Sequence, residues 1–171
     1  MGQVPGRFER IAASREHGFE VVVDYAHTDV GLDAVLRVAR EVAGGSDGRG
    51  ERVICVFGAA GDRDRAKRPK MGKVTSLLAD MSFVTTDDAY SEDPQKIARE
   101  VEAGSDPSRT TIELDRREAI RRALEAARAG DVVVVAGKGH ETVQHLPGGD
   151  VPFHDATVVR ELLEEIETRG R

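Results

Sequence analysis

Short apolar runs alternate along the chain with longer segments in which apolar residues recur every three or four positions. The most apolar run covers residues 131–136, and similar runs cover residues 19–25, 52–57 and 81–85. Uninterrupted runs of this length are typical of strands that are buried on both faces of a parallel sheet. A weaker run over residues 110–114 predicts one more strand, and the most apolar run is expected at the centre of the sheet.

Five segments between and after these runs have the spacing of an amphipathic helix. The second of these helices is expected to begin at Lys70, and the third follows Asp93 with Pro94 in its first turn. Side chains suited to capping the helix N-termini are Thr28 or Asp29, Asp93, Asp115 and Asp155. The apolar faces comprise Leu32, Val35, Leu36, Ala39 and Val42; Met71, Val74, Leu77 and Leu78; Ile97, Ala98 and Val101; Ala119, Ile120, Ala123, Leu124 and Ala127; and Val158, Val159, Leu162, Leu163 and Ile166.

Glycine and proline mark the connections between these elements. Residues 44–50 predict a flexible turn, Gly130 is expected to end the fourth helix, and residues 142–153 predict a hairpin. Residues 1–10 contain proline and glycine without periodicity, so we expect a linker there. Strands that alternate with helices indicate βαβ units. The predicted fold class is therefore α/β: a Rossmann-like, mostly parallel sheet with helices on both faces and a C-terminal hairpin.

Composition narrows the classes of function. The chain has 171 residues, of which 39% are hydrophobic and 33% charged, as expected for one globular domain. Its net charge of −6 argues against a general nucleic-acid-binding protein. The single cysteine, Cys55, lies inside an apolar run and predicts a buried, inert thiol. No run is long enough to span a membrane and no signal peptide is visible, so we expect a soluble cytoplasmic protein.

Four predicted strands end in polar clusters: residues 24–29, 58–68, 87–92 and 137–141. Because parallel strands share a direction, these clusters are expected at one edge of the sheet, where open α/β sheets bind ligands. Carboxylates, histidines and cations would meet there. Such a site suits chemistry that involves an anion and an amine.

The cluster after the second strand is the most basic. Gly58 and Gly61 are expected to allow positive φ and close approach of a ligand. The cations that follow, Arg63, Arg65, Lys67 and Arg68, suit phosphate or carboxylate. The alternative is a solvated turn without a ligand.

Several common sites are absent from the sequence. Gly137 and Lys138 are followed by glycine, so they do not complete a phosphate-cradling G-x-x-x-x-G-K-[ST] loop, and no G-x-G-x-x-G is present. The histidines considered as metal ligands, none of them at helical i, i+4 spacing, are His27, His140, His145 and His154. We therefore predict no metal held by this chain alone, and no serine or cysteine nucleophile.

Five segments resemble the C-terminal domain of the Mur ligases. They are residues 6–9, 24–28, 61–72, 87–94 and 136–141, and they span nearly the whole chain in the family's order. Among these enzymes, GDRDRAKRPKMG and AGKGHE are most similar to the MurE group, which adds a diamino acid to UDP-MurNAc-L-Ala-D-Glu in peptidoglycan precursor synthesis.

The resemblance implies a fold, cofactors and partners. Residues 1–171 would form a single amino-acid-binding domain and residues 1–10 a remnant of an interdomain linker. The N-terminal domain that holds the UDP-sugar dipeptide and the central domain that holds ATP would lie outside this sequence. ATP and Mg²⁺ would act in the full-length ligase, while this domain alone would hold neither and be inactive. We expect a monomer without nucleic-acid or membrane partners.

The resemblance also implies roles for individual residues. The matching positions are Arg7, Asp24 and His27 on the nucleotide-facing side, and Arg63, Lys67, Gly137 and Glu141 around the incoming amino acid. Arg63 would grip the amino acid, and Gly137 and Glu141 would hold the amino group at the far end of its side chain.

Three residues in these segments have a structural alternative. Asp24 could cap the turn that follows it, and Arg63 could pair with Asp62 or Asp64 at the surface. His140 could be structural only.

One loop departs from the family's pattern. Enzymes that add meso-diaminopimelate carry Asp-Asn-Pro-Arg where this chain has Asp87, Asp88, Ala89 and Tyr90. The arginine that would bind the distal carboxylate is thus a tyrosine. We therefore predict L-lysine or L-ornithine as the substrate, with Asp87, Asp88 and Glu141 attracting its side-chain ammonium.

Two other functions remain open. One is a binding module that captures a nucleotide or amino acid without chemistry. The other is the C-terminal domain of a different amide ligase, such as a folylpolyglutamate or cyanophycin synthetase.

Overall fold

The computed structural model describes residues 2–44 and 51–170. Its strands are β1 (Glu9–Arg10), β2 (Glu20–Asp24), β3 (Val53–Phe57), β4 (Met81–Val84), β5 (Thr110–Ile112), β6 (Val132–Ala136), β7 (Val143–Leu146) and β8 (Gly149–Pro152). Its helices are α1 (Asp29–Gly44), α2 (Lys67–Leu78), α3 (Pro94–Glu102), α4 (Arg116–Ala126) and α5 (Asp155–Arg169), with a 3₁₀ helix at Ala12–His17.

Six strands form the main sheet in the order β1-β2-β6-β3-β4-β5. The pairs β2–β6, β6–β3, β3–β4 and β4–β5 are parallel, whereas β1 is antiparallel to β2. Strands β7 and β8 form a separate antiparallel hairpin. The predicted α/β class, with a mostly parallel sheet and a C-terminal hairpin, is confirmed.

The core lies on both faces of this sheet. Along β6, Val132, Val134 and Ala136 belong to the core that includes residues of α1, α2 and α3. Val133 and Val135 belong to the opposite core, with residues of α4 and α5. Because both faces are covered, the strand needs apolar residues at every position, which explains the uninterrupted run in the sequence.

Three helix starts follow the predicted capping chemistry. The Thr28 hydroxyl accepts a hydrogen bond from the Gly31 amide at 3.0 Å at the start of α1. Asp93 caps α3 by accepting from the Gln95 amide at 2.9 Å. Asp115 caps α4 in the same way, accepting from the amide three residues later. Each bond satisfies an amide that has no partner within its own helix.

The cap predicted at Asp155 is wrong. Asp155 is the first residue of α5, and its buried carboxylate accepts two hydrogen bonds from the guanidinium of Arg116. His154 holds the N-cap position without a side-chain cap bond. Pairing with a cation across the fold has replaced local capping.

Helix α2 also differs from its prediction. It begins at Lys67 rather than Lys70, and Leu77 on its expected apolar face is 71% exposed. Arg68 is buried instead, which sequence periodicity does not anticipate for a charged residue. Gly72 allows α2 to approach α3 closely, because a Cβ there would lie 2.1 Å from the carbonyl oxygen of Val101.

The connections agree only in part. Helix α4 ends at Ala126 rather than at Gly130, whose φ of 88° instead belongs to the turn before β6. Beyond residue 44, the turn predicted for 44–50 lies outside the described residues. Glu9–Arg10 of the expected linker form an edge strand.

Among the described helices, none is long and apolar enough to cross a membrane.

The burial of Cys55 gives a test of this core. The thiol is completely buried, and burial raises its pKa to about 12, so it should not react with Ellman's reagent in the folded protein. We expect release of about one thiol equivalent only after denaturation, since this is the single cysteine. Fast reaction of the native protein would contradict the placement of β3 inside the sheet.

Candidate functional site

The four polar clusters do meet at the carboxyl ends of β2, β3, β4 and β6. The Gly137 amide donates to the carbonyl of Asp24 at 3.1 Å, which joins the loops after β6 and β2. The Gly61 amide donates to the carbonyl of Asp88 at 2.7 Å, which joins the loops after β3 and β4. The predicted convergence on one edge of the sheet is thereby observed.

Gly58 and Gly61 serve a different purpose from the one predicted. Neither has a positive φ in this structure. A Cβ at Gly58 would lie 2.2 Å from the carbonyl oxygen of Thr85, and one at Gly61 would lie 1.8 Å from that of Ala89. Glycine is therefore required at both positions because a neighbouring loop of the same chain approaches the backbone closely.

A buried ion pair fixes the backbone from which two of these loops start. Arg116 and Asp155 are fully buried side chains, joined at 2.8 Å through two hydrogen bonds. The same guanidinium donates to the carbonyl of Ala136 at 2.9 Å and to that of Thr86 at 3.4 Å. It therefore fixes the ends of β6 and β4 relative to the first turns of α4 and α5.

Lys138 lies among the carboxylates of the loops that follow β4 and β6. Its completely buried ammonium donates to Asp88 at 3.0 Å, to Glu141 at 3.4 Å and to the carbonyl of Val143 at 2.7 Å. A substrate ammonium directed at Asp88 or Glu141 would thus compete with a cation of the protein itself.

The other carboxylate predicted here, Asp87, is buried beside a glycine. Burial raises its pKa, while the charges of Arg116 and Lys138 act in the opposite direction. One Asp87 oxygen accepts from the amide of Asp88 at 2.7 Å. The other would lie 2.3 Å from a Cβ at Gly137, which has a φ of 116°. Gly137 is therefore needed for the approach of these two loops.

Two cations of the basic loop are used within the protein. Arg68 is buried and pairs with Glu92 and Glu100, and it also donates to the carbonyl of Ala60. Arg65 pairs with Glu100 as well. These contacts bind the basic loop (residues 58–68) to α3 and to the acidic loop that precedes α3 (residues 87–92).

Arg63 and Lys67 have no carboxylate partner among the described residues. Arg63 donates to the main-chain carbonyl of Asp62 at 3.3 Å, and its guanidinium carbon lies 5.2 Å from the centre of the Tyr90 ring. The alternative surface pair with Asp62 or Asp64 does not form. Asp64 instead accepts from the Ala66 amide.

Two neighbouring cavities share His27 in their linings. One, of about 420 Å³, is lined by Arg7, Asp24 and His27 among others. A second, of about 260 Å³, is lined by His27 together with Arg63 and Lys67. His27 therefore lies between the predicted nucleotide-facing residues and the predicted amino-acid-binding cations.

The individual contacts of this side favour different roles. One Asp24 oxygen accepts from the amide of Ala26 at 2.8 Å, as in the capping alternative, and the other accepts from the amide of Phe8 at 2.8 Å. Arg7 lies over the ring of Tyr25 at 5.7 Å, and His27 Nδ1 is 2.8 Å from the Tyr25 carbonyl oxygen. Arg7 and His27 remain exposed and available to a ligand.

Tyr25 connects this side to Glu141. Burial and the neighbouring Glu141 carboxylate raise the pKa of the Tyr25 hydroxyl. His140 is exposed and packs its ring near that of Tyr25 at 5.9 Å. Its backbone amide faces Gly6, where a Cβ would lie only 2.1 Å away, so a structural role of this segment is visible.

A continuous set of contacts connects Arg63 to Glu141. The Tyr90 ring under Arg63 belongs to a residue whose amide donates to the carbonyl of His145 at 3.1 Å. The His145 amide donates to Asp88 at 2.9 Å, and Lys138 bridges Asp88 and Glu141. The two residues predicted to bind opposite ends of an amino acid thus share one edge of the sheet.

Backbone strain is concentrated at this edge. Among the described residues, the non-glycine residues with positive φ are Phe8, Asp62 and Tyr90, at 42°, 53° and 50°. They belong to the N-terminal, basic and acidic loops respectively. A left-handed conformation costs about 1–2 kcal/mol for such residues, so surrounding contacts must hold each of them in place.

Sequence reasoning missed several residues that shape the site: Arg116, Lys138, Gln144, His145 and Asp155. Gln144 donates to the carbonyls of Thr86 and Asp87, which attaches β7 to the acidic loop. Lys138 stood inside a recognised motif, but no sequence signal indicated that its ammonium turns inward. Within the described residues, no cluster of three or more His, Cys, Asp or Glu side chains could hold a metal ion.

Comparisons with known proteins agree with this architecture. The family description "Mur ligase, glutamate ligase domain" matches residues 6–139. A UDP-N-acetylmuramoyl-L-alanyl-D-glutamate–2,6-diaminopimelate ligase of Clostridium botulinum is 45% identical over 166 residues, which cover 97% of this chain and 33% of the relative. A ligase of the same name from Syntrophomonas wolfei is 47% identical, over 94% of this chain and 32% of the relative. The chain thus spans about a third of these relatives.

Solved structures extend the similarity. A structure of a UDP-N-acetylmuramoyl-L-alanyl-D-glutamate–2,6-diaminopimelate ligase has a TM-score of 0.84 and 37% identity, covering 98% of this chain and 33% of that one. The UDP-N-acetylmuramate-alanine ligase of Thermotoga maritima has a TM-score of 0.63 at 19% identity, covering 97% of this chain and 31% of that one. The second similarity is one of fold only.

The buried ion pair predicts that substitutions at two neighbouring arginines lower the stability of the protein by very different amounts. Replacing Arg116 with Met leaves Asp155 buried and unpaired, which should lower the free energy of unfolding by about 3–5 kcal/mol in urea denaturation. Arg117→Met is the matched control, because the Arg117 pairs with Glu161 and Glu165 are solvent-exposed and should change stability little. Equal losses of unfolding free energy in the two variants would contradict the proposal that the Arg116–Asp155 pair stabilises this edge of the sheet.

Glu92 predicts an acid-dependent loss of stability. Its hydrogen bonds with Arg68 and with the Asp62 amide lower its pKa from 4.5 to about 2. A lowered folded-state pKa contributes stability above the unfolded value, and this contribution is lost as the pH falls from about 4.5 to 2. In urea denaturation over this range, Glu92→Gln should show a flatter pH profile than the parent. Identical profiles would show that the Arg68 contact does not stabilise the fold.

Proposed function

The chain belongs to the Mur ligase family as a glutamate ligase domain, and on that premise we propose that it is the amino-acid-binding, C-terminal domain of a peptidoglycan precursor ligase. The whole enzyme would be an ATP-dependent carbon–nitrogen ligase that adds a diamino acid to UDP-MurNAc-L-Ala-D-Glu. Its proposed location is the cytoplasm, and the chain is proposed to be a monomer. The relatives at 45% and 47% identity support the choice of this branch.

The proposal rests on one observation: an arginine without a carboxylate partner among the described residues and a glutamate lie on the same edge of the sheet. Arg63 lacks a carboxylate partner among the described residues, and Glu141 lies at the other end of a continuous set of contacts. A guanidinium suits an α-carboxylate, because it can donate two parallel hydrogen bonds. Lys67 adds a second unpaired cation on the same side.

In this proposal the chain positions the incoming amine. Arg63 binds the α-carboxylate. Gly137 and Glu141 hold the remote ammonium, which the acidic residues Asp87 and Asp88 also attract. Fixing both ends directs the α-amino group towards an activated carboxylate. Catalysis would then depend chiefly on positioning and electrostatics.

Enzymes of this family use ATP and Mg²⁺. When bound, ATP supplies the phosphoryl group that activates the dipeptide carboxylate as an acyl phosphate. Arg7 and His27 are exposed beside a cavity and could contact a nucleotide from one side, whereas both oxygens of Asp24 already bind backbone amides. We therefore propose that nucleotide and metal are held mainly by other parts of the ligase. No amide bond formation is expected from this chain by itself.

The proposed amino acid is L-lysine or L-ornithine. Relatives are named for 2,6-diaminopimelate, whose second carboxylate needs a cation. Tyr90 stands where the resemblance expects the arginine for that carboxylate, and its ring contacts Arg63. Tyrosine offers no charge to a distal carboxylate, so a substrate that lacks one fits better.

The other candidate functions have weaker support. The folylpolyglutamate synthase of Mycobacterium tuberculosis shares the fold at 20% identity and a TM-score of 0.55. That similarity does not extend to function. A non-catalytic binding module would share the same edge and would differ only in the absence of a ligase around it.

A binding panel tests the proposed specificity. L-Lysine and L-ornithine should bind the chain more tightly than meso-diaminopimelate in an NMR titration. Tyr90→Arg should shift the preference towards meso-diaminopimelate by about tenfold or more, because a charge-assisted pair contributes about 1.5–3 kcal/mol. Arg63→Ala is the control and should weaken all three. A parent chain that prefers meso-diaminopimelate would refute lysine or ornithine as the substrate.

A further inference from the structure

Side chains from two loops and the hairpin contact one another at the edge of the site. The Arg63 guanidinium lies 5.2 Å from the Tyr90 ring centre, on the basic loop side. The Tyr90 and His145 rings are also 5.2 Å apart and nearly parallel, at an interplanar angle of 9°. His145 belongs to β7 of the hairpin and to none of the segments that carry the family resemblance.

The hairpin holds this stack through its backbone. His145 accepts from the Tyr90 amide at 3.1 Å through its carbonyl oxygen, and its own amide donates to Asp88 at 2.9 Å. Its ring Nδ1 lies 2.8 Å from Asp150 on β8, which limits rotation of the imidazole. Tyr90 keeps a φ of 50° under these contacts. The ring positions are therefore determined by the hairpin as well as by the acidic loop.

We propose that Tyr90 and His145 form a stacked platform that positions the Arg63 guanidinium for the α-carboxylate of the amino acid. This rests on the proposed function. A guanidinium that lies on an aromatic face keeps its N–H groups at the edge, free for a carboxylate. Arg63 makes a single hydrogen bond among the described residues, to the carbonyl of Asp62, so the ring contact is its main restraint.

The platform assigns His145 a role in binding without direct contact with the ligand. It is a positioning residue: it holds the Tyr90 ring, and the ring holds Arg63. An exposed arginine without such a restraint samples many rotamers and loses more conformational entropy on binding. Removing the platform should therefore weaken capture of the carboxylate while leaving the recognition of the ammonium end intact.

The test compares a ligand that has the carboxylate with one that lacks it. The variants His145→Ala and Tyr90→Leu should weaken binding of L-lysine about threefold to tenfold in an NMR titration. Binding of L-lysinamide, which has no carboxylate, should stay unchanged. Tyr90→Phe and His145→Phe keep the stacked rings and should bind L-lysine like the parent chain. His154→Ala, whose imidazole contacts Thr157 at the start of α5, is the matched histidine control.

A second readout follows the geometry without a ligand. The Arg63 Nε–Hε signal of the ¹⁵N-labelled chain should carry a ring-current shift that is lost in Tyr90→Leu and reduced in His145→Ala. If this signal is the same in all variants, or if L-lysine and L-lysinamide weaken equally, the platform is refuted while amino-acid binding stands. If the shift is present but the parent chain binds no amino acid, the proposed function fails, and the carboxylate role of the platform fails with it.

Discussion

The buried pair of Arg116 and Asp155 is the interaction on which the edge of the sheet depends. Two opposite charges are removed from water between the first turns of α4 and α5. Other N–H groups of Arg116 reach the carbonyl of Ala136, the last residue of β6, and that of Thr86, two residues beyond β4. A buried guanidinium is tolerable only when its donors are satisfied in this way. The loops that carry Asp87 and Lys138 therefore start from fixed positions.

At this edge of the sheet, the carboxylates are paired within the protein to a greater extent than the cations are. On the acidic side, Lys138 already neutralises part of the charge of Asp88 and Glu141. On the basic side, Arg63 and Lys67 lack carboxylate partners within the part of the chain that the structure describes. The edge is thus better prepared for an anion than for a second cation. In the proposed ligand, the carboxylate would therefore meet cations without carboxylate partners, whereas the ammonium would meet carboxylates that are already paired.

Local signals in the sequence predicted most of the fold. Uninterrupted apolar runs located the parallel strands, and short-range capping chemistry located the start of α3 at Asp93. Predictions failed where a distant partner decided the outcome. Asp155 binds Arg116 rather than an amide of its own helix, and Gly58 accommodates a neighbouring loop rather than a left-handed turn. The convergence of the four loops was predictable from strand direction, but the inward turn of Lys138 was not, because it depends on side chains far apart in sequence.

The contact between Gly6 and the loop after β6 has a mechanical consequence. The backbone at Gly6 lies so close to Gly139 and His140 that there is no room for a methyl group between them. Because this contact is steric, a displacement of Gly6 towards Gly139 would push directly on the turn that leads to Glu141. The position of Gly6 therefore helps to set the position of the backbone that carries Glu141, a residue proposed to bind the amine.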